Sequence, residues 1–219
     1  MTAAGTDYES AADVLVVGGG LAATWTALAA AQAGGDVVLV DKGYCGTSGV
    51  TATAGVTHWI VPPERHERAV TERHASAGGL AESEWALRVQ RTVWERLPTL
   101  DRYYPFPVVD GRIDRANNVR GPEYLRAMRG LVHRAGVRIL DHHPTTELLV
   151  RADGSAGGAA GLLRQAGGTW RVRTGAVVLA TGGTTFRSHL LGSRGNTGDG
   201  HLMAVEAGAR LSGMEFSSY

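Results

Sequence analysis

Residues 13–41 hold, in order, a short apolar run, a glycine turn, a helix of small residues, a second apolar run and a terminal carboxylate. Val14 to Val17 have the unbroken apolar character of a strand buried on both faces. The turn Gly18-Gly19-Gly20 follows. Gly18 suits a sharp bend, and Gly20 suits a backbone that a ligand must approach closely. Leu21, Ala22 and Ala23 open a helix, and Ala23, in the place of a third glycine, lets that helix lie close to the sheet. Asp41 ends the second run about 20 residues further on, where a carboxylate can accept hydrogen bonds from both hydroxyls of a ribose. A glycine-rich turn alone is a weak signal. With both strands, the helix and the acid in register, the segment predicts a dinucleotide site whose diphosphate faces the helix N-terminus. NAD, NADP and FAD are all open at this point, although Asp41 would repel the 2′-phosphate of NADP.

A length of 219 residues allows one large domain or two small ones with a sizeable core. The formal net charge is +1, with acids and bases interspersed, so no electrostatic footprint points to nucleic acid or an anionic membrane as partner. Lys42 is the only lysine. The single cysteine, Cys45, permits neither an internal disulfide nor a Cys-x-x-Cys redox pair. Residues 1–11 are polar and read as a flexible tail without the apolar core of a signal peptide. No apolar stretch approaches membrane-spanning length, and the expectation is a cytoplasmic protein.

Residues 42–56 are rich in small and hydroxylated side chains, which suits a loop that wraps a ligand and equally a flexible surface loop. Charged segments with near-helical apolar spacing predict helices over 64–77 and 81–97, with Trp59, Trp85 and Trp94 as packing residues. Prolines break this pattern at Pro98 and in 103–107. Residues 108–120 read as loop with a turn at Asp110-Gly111, and Arg112, Arg115 and Arg120 there read as solvated or facing an anionic substrate. A helix over Gly121–Arg134, with Pro122 in its first turn, leads to a third parallel strand over Val137–Leu140. Three runs, Glu147–Val150, Ala159–Leu163 and Thr169–Val172, are separated by Asp-Gly and Gly-Gly turns and predict an antiparallel meander. A separate buried strand, Ala176–Ala180, ends in Thr181-Gly182-Gly183. Thr197-Gly198-Asp199-Gly200 precedes a helix over His201–Ala209, and Arg210–Phe216 reads as a last strand. The histidines lack metal-ligand spacing, and no metal site is expected. Cys45 reads as a small space-filler. The meander and the second glycine turn favour FAD over NAD. The predicted fold is α/β: a Rossmann-like FAD-binding domain over 12–219, with a parallel sheet, helices over about 64–97 and a β-meander over about 144–173.

The opening turn is followed in order by Asp41-Lys42, Ser48-Gly49-Val50-Thr51-Ala52-Thr53-Ala54-Gly55, Ala180-Thr181-Gly182-Gly183, Thr197-Gly198-Asp199-Gly200, Met203-Ala204, Ala207-Gly208-Ala209 and Met214-Glu215-Phe216. In this series the chain resembles the flavoproteins of succinate dehydrogenase, fumarate reductase and L-aspartate oxidase. The resemblance implies that Ser48, Thr51 and Gly55 lie along the diphosphate, ribityl chain and ring of FAD, with Thr47, Gly49 and Val56 among the contacts. It implies Thr146 beside the adenine, and Ala180, Thr181, Gly182 and Asp199 closing over the ribityl–phosphate region. Gly49 stands where respiratory members carry a histidine bonded to the flavin, which implies non-covalent FAD. Val56 stands where a second glycine is frequent, and Ser218 where a glutamine is common. The family's cap domain, with its proton-donating arginine, has no counterpart in these residues. A second polypeptide is therefore expected to complete the site, and no catalytic residue is assigned within 1–219. The implied activity is hydride transfer through flavin N5 with a small organic acid or related substrate. The alternatives are a non-catalytic FAD-binding or structural subunit or fragment, and an NAD-dependent dehydrogenase.

Overall fold

The computed structural model describes residues 7–117 and 119–214, and it falls into two compact units, Met1–Ala54 with Leu125–Tyr219, and Gly55–Tyr124. The first unit opens with β1 (Tyr8–Val17), α1 (Leu21–Gln32) and β2 (Val37–Val40). β1 starts inside the stretch expected as a tail, because Tyr8 to Ala12 pair in parallel with Trp170 to Thr174. α1 buries Ala23, Thr24, Ala27 and Leu28, so its contact stripe is mostly small residues and the helix axis can come close to the sheet. All four residues of β2 are buried, and the strand pairs in parallel with β1.

The second unit contains β3 (Gly55–Val56), α2 (His66–Ser76), α3 (Ser83–Arg96), β4 (Val108–Val109), β5 (Arg112–Ile113) and β6 (Val119–Arg120). β3 pairs with β6. β4 and β5 form a small hairpin where the sequence suggested loop. Asp110 and Gly111 both have positive φ, 49° and 72°, as the tightest hairpin turn requires. Trp85 and Trp94, expected as packing residues, are 58% and 40% exposed instead. Leu97 and Leu100, just past the end of α3, supply the buried apolar contacts. The Arg88 guanidinium lies over Trp85, and Arg73 lies over Trp59, so arginines screen two of the indoles. Arg115 is not a solvated loop residue: it pairs through Nε and Nη2 with the Asp101 carboxylate.

The chain continues through α4 (Gly121–Arg134), β7 (Arg138–Leu140), β8 (Thr145–Val150), β9 (Ala156–Leu162), β10 (Thr169–Leu179) and α5 (Asp199–Glu206). The six-stranded sheet of the first unit has the order β7-β2-β1-β10-β9-β8. The strands expected separately at Thr169–Val172 and Ala176–Ala180 are one. β10 pairs antiparallel with β9 through its first half and parallel with β1 along its length. The Thr174 hydroxyl bridges the interruption by donating to Asp13 O at 2.8 Å.

Trp170 and Tyr8 lie at one end of this register and Val17 at the other, yet fully buried Trp170 clusters with Leu15, Val17, Val38 and Val40. The long strands therefore fold over, and the meander covers one face of the parallel sheet. Strand alternation leaves Val16, Val37 and Leu39 on the opposite face for α1. α5 begins two residues earlier than predicted, at Asp199, and ends at Glu206. Arg210 to Met214 form no strand; Glu215, Phe216 and Ser218 lie outside the described residues.

Candidate cofactor site

The carboxyl ends of β1, β2 and β10 open on a cavity of about 980 Å³. β2 lies on one side of β1 and β10 on the other, so the cavity sits where the strand order reverses, the usual ligand position in an open α/β sheet.

Gly18 has φ +122°, and a Cβ there would lie 2.3 Å from Ala180 O. The first glycine thus lets the bend after β1 touch the bend after β10, which is tied to it by Ala180 N–H donating to Val17 O at 2.8 Å. Gly20 is different. Its φ of −84° suits any residue, and a Cβ there would meet nothing closer than Ser48 O at 4.0 Å. No side chain caps α1, and no acid stands in its first turn. Helix N–H groups and a clear cradle therefore face the cavity together, the arrangement that suits a diphosphate.

Asp41 is buried, and its Oδ1 accepts from Gly43 N–H at 2.8 Å and from the Ser48 hydroxyl at 2.6 Å. Among the described residues no donor reaches Oδ2, which leaves one carboxylate oxygen for a ligand hydroxyl. The loop carrying Ser48 is itself held from below. Asp141 accepts from Cys45 N–H at 2.7 Å and from two nitrogens of Arg129 at 2.9 and 2.7 Å. Arg129 also donates to Cys45 O and stacks on the Tyr44 ring. Burial pushes the Cys45 thiol up to about 12, against the pull of Arg129, so the group stays protonated and inert.

The cavity wall includes Gly18 to Ala22, Asp41, Lys42, Ser48, Gly49, Thr51, Ala180 to Gly182 and Asp199. Ala23 is buried on α1 itself and Thr47 turns back to donate to Tyr44 O, so neither lines the cavity. Gly55 and Val56 belong to the other unit, paired with Arg120 and Val119. The β8 contribution comes from Thr145, while the Thr146 hydroxyl reaches toward Ala160 O at 3.5 Å. Sequence reasoning missed Arg164, Asn196, His201 and Met203 on the wall. Asn196 directly precedes Thr-Gly-Asp-Gly, and Met203 stands one helical turn after Asp199, so their neighbourhood carried a signal. Arg164 arrives through the folding of the meander and carried none.

An open helix N-terminus behind a glycine turn, an acid at the end of the second strand and a second glycine bend against the first define a dinucleotide-binding domain. Residues 13–219 match the family described as FAD binding domain, and the chain belongs to that family. None of the curated proteins matches it by sequence. Its fold is similar to that of FrdA of E. coli quinol fumarate reductase, with TM-score 0.77 and 23% identity over 91% of this chain and 37% of that one. It is similar to the 3-ketosteroid-Δ4-(5α)-dehydrogenase of Rhodococcus jostii RHA1, with TM-score 0.76 and 22% identity over 98% and 57% of the two chains. Adenylylsulfate reductase of Archaeoglobus fulgidus aligns with TM-score 0.73 and 21% identity over 93% and 38%. The chain spans less than two thirds of each. A fumarate reductase thus stands among its structural neighbours, and the differing names of the three show that this fold alone selects no substrate.

Proposed function

We propose that this chain holds FAD non-covalently as the nucleotide-binding part of a flavin-dependent oxidoreductase of the fumarate reductase and succinate dehydrogenase type. One observation carries the reading: the space beside Gly20 is kept open, at the uncapped end of α1, although a side chain there would offend no protein atom. The α1 N–H groups would face the diphosphate, and the free oxygen of Asp41 would accept from a ribose hydroxyl. Gly49 lines the same cavity and offers no imidazole for a bond to the flavin, which supports reversible binding. FAD, when bound, supplies hydride transfer at N5, here with a small organic acid or related substrate. The protein's part is to position the cofactor. Completion of the site by a second polypeptide is part of this reading. The test is direct. Purified protein should show an oxidised-flavin spectrum, and acid precipitation should leave all flavin in the supernatant. Colourless protein that refuses added FAD would sink the reading; flavin that pellets with the protein would overturn the non-covalent part alone.

A further inference from the structure

The rim of the cavity is crossed by three side chains from distant parts of the sequence. Lys42, directly after Asp41, donates from Nζ to Thr197 Oγ1 at 2.9 Å. The Thr197 hydroxyl in turn donates to Asp199 Oδ2 at 2.5 Å, and the ammonium lies 3.9 Å from the same oxygen. All three residues line the cavity, and the Lys42 and Asp199 side chains are 43% and 63% exposed, which places the bridge at the solvent side. The bridge ties the end of β2 to the start of α5, so it spans from the ribose-side acid to the Thr-Gly-Asp-Gly turn.

We propose that Lys42, Thr197 and Asp199 form a clasp over the rim, which opens to admit a flavin nucleotide and then slows its release. This rests on the cavity being the FAD site. Two physical requirements converge on it. Asp199 faces a cavity suited to a diphosphate, and Lys42 offsets a carboxylate charge that would otherwise repel that ligand. The Thr197 link also fixes the orientation of the Asp199 carboxylate, so Lys42 acts as a positioning residue through it. An exposed ion pair contributes little, and a clasp so made opens readily enough to let the nucleotide in while remaining mostly closed.

The test uses the full chain. Stopped-flow release of FAD at low ionic strength should be up to about fivefold faster from Lys42→Met than from the unmodified protein, the ceiling for an exposed pair. Lys42→Arg should keep the slow release, and high salt should erase the difference by screening the pair. A second readout needs no cofactor. Because Lys42 is the sole lysine, acylation of its amine reports on one side chain, and Thr197→Val should raise that reactivity in the free protein. Release from Lys42→Met at the unmodified rate, or unchanged lysine reactivity in Thr197→Val, would overturn the clasp. If the unmodified protein takes up no FAD, the functional reading falls and lysine reactivity alone decides whether the clasp exists.

Discussion

At Gly19 a methyl group would sit 2.7 Å from Asp41 Cγ and 2.8 Å from Cys45 Cα, whereas at Gly20 it would meet nothing nearer than 4.0 Å. The two neighbours therefore answer to different demands, one from the fold and one from the ligand. Gly19→Ala should destabilise the cofactor-free protein by about 1–3 kcal/mol, the cost of forcing a methyl into packed backbone, as measured by denaturant unfolding. Gly20→Ala should leave that unfolding curve nearly in place and weaken FAD binding about tenfold or more, as charge-assisted contacts to the diphosphate lengthen. Equal effects of both substitutions on cofactor-free stability would contradict this division. Asp41 shows the same economy of roles. Oδ1 is committed to Gly43 and Ser48, which fixes the carboxylate, and only Oδ2 is left for the ligand.

The element that most needs outside support is the loop of residues 43–48, which has neither a helix nor a strand ladder of its own. At its centre the Cys45 N–H and C=O are satisfied by a side-chain pair from other elements: Arg129 on α4 and Asp141 just after β7. The pair is three-quarters or more buried, bidentate, and bonded to both the N–H and the C=O of Cys45. Arg129→Ala would leave Asp141 without its partner and release Cys45 O. A loss of about 1–3 kcal/mol in unfolding free energy is expected, together with weaker FAD binding because Ser48 no longer steadies Asp41. A variant that unfolds and binds as the unmodified protein does would show the staple to be dispensable. In the folded-over sheet the Trp170 Nε1 donates to Pro144 O at 3.2 Å just before β8 begins, beside a bond from Leu162 N–H to the same oxygen at 3.0 Å.

For the molecule as a whole, the cavity belongs to the first unit and is built from segments at both ends of the sequence, so FAD binding should stabilise that unit as a cooperative body. At free FAD a hundredfold above its dissociation constant, the gain should be about 2.7 kcal/mol, read as a higher unfolding midpoint. An unfolding midpoint that ignores saturating FAD would count against cofactor binding. The strand, turn, helix, strand and acid of 13–41 were legible because each is set by short-range spacing: buried strands read as unbroken apolar runs, and glycine turns announce themselves locally. The meander was legible for the same reason, from its Asp-Gly and Gly-Gly turns. What local pattern could not yield was the continuity of β10, whose pairing with β1 carries it through the Thr174-Gly175 interruption, or the hairpin at Asp110-Gly111 within an apparent loop. Nor could it foresee the exposed tryptophans of α3, since helical spacing marks an apolar face without saying what lies against it. The class of fold and the chemistry of the glycine turn could be read residue by residue, because both follow from the conformations that individual residues allow. It takes the folded chain to bring Thr145 rather than Thr146 to the cavity, to add Arg164 to its wall, and to set Lys42 against Thr197. Those contacts depend on how the sheet folds over and where distant loops meet, and no short-range spacing encodes that.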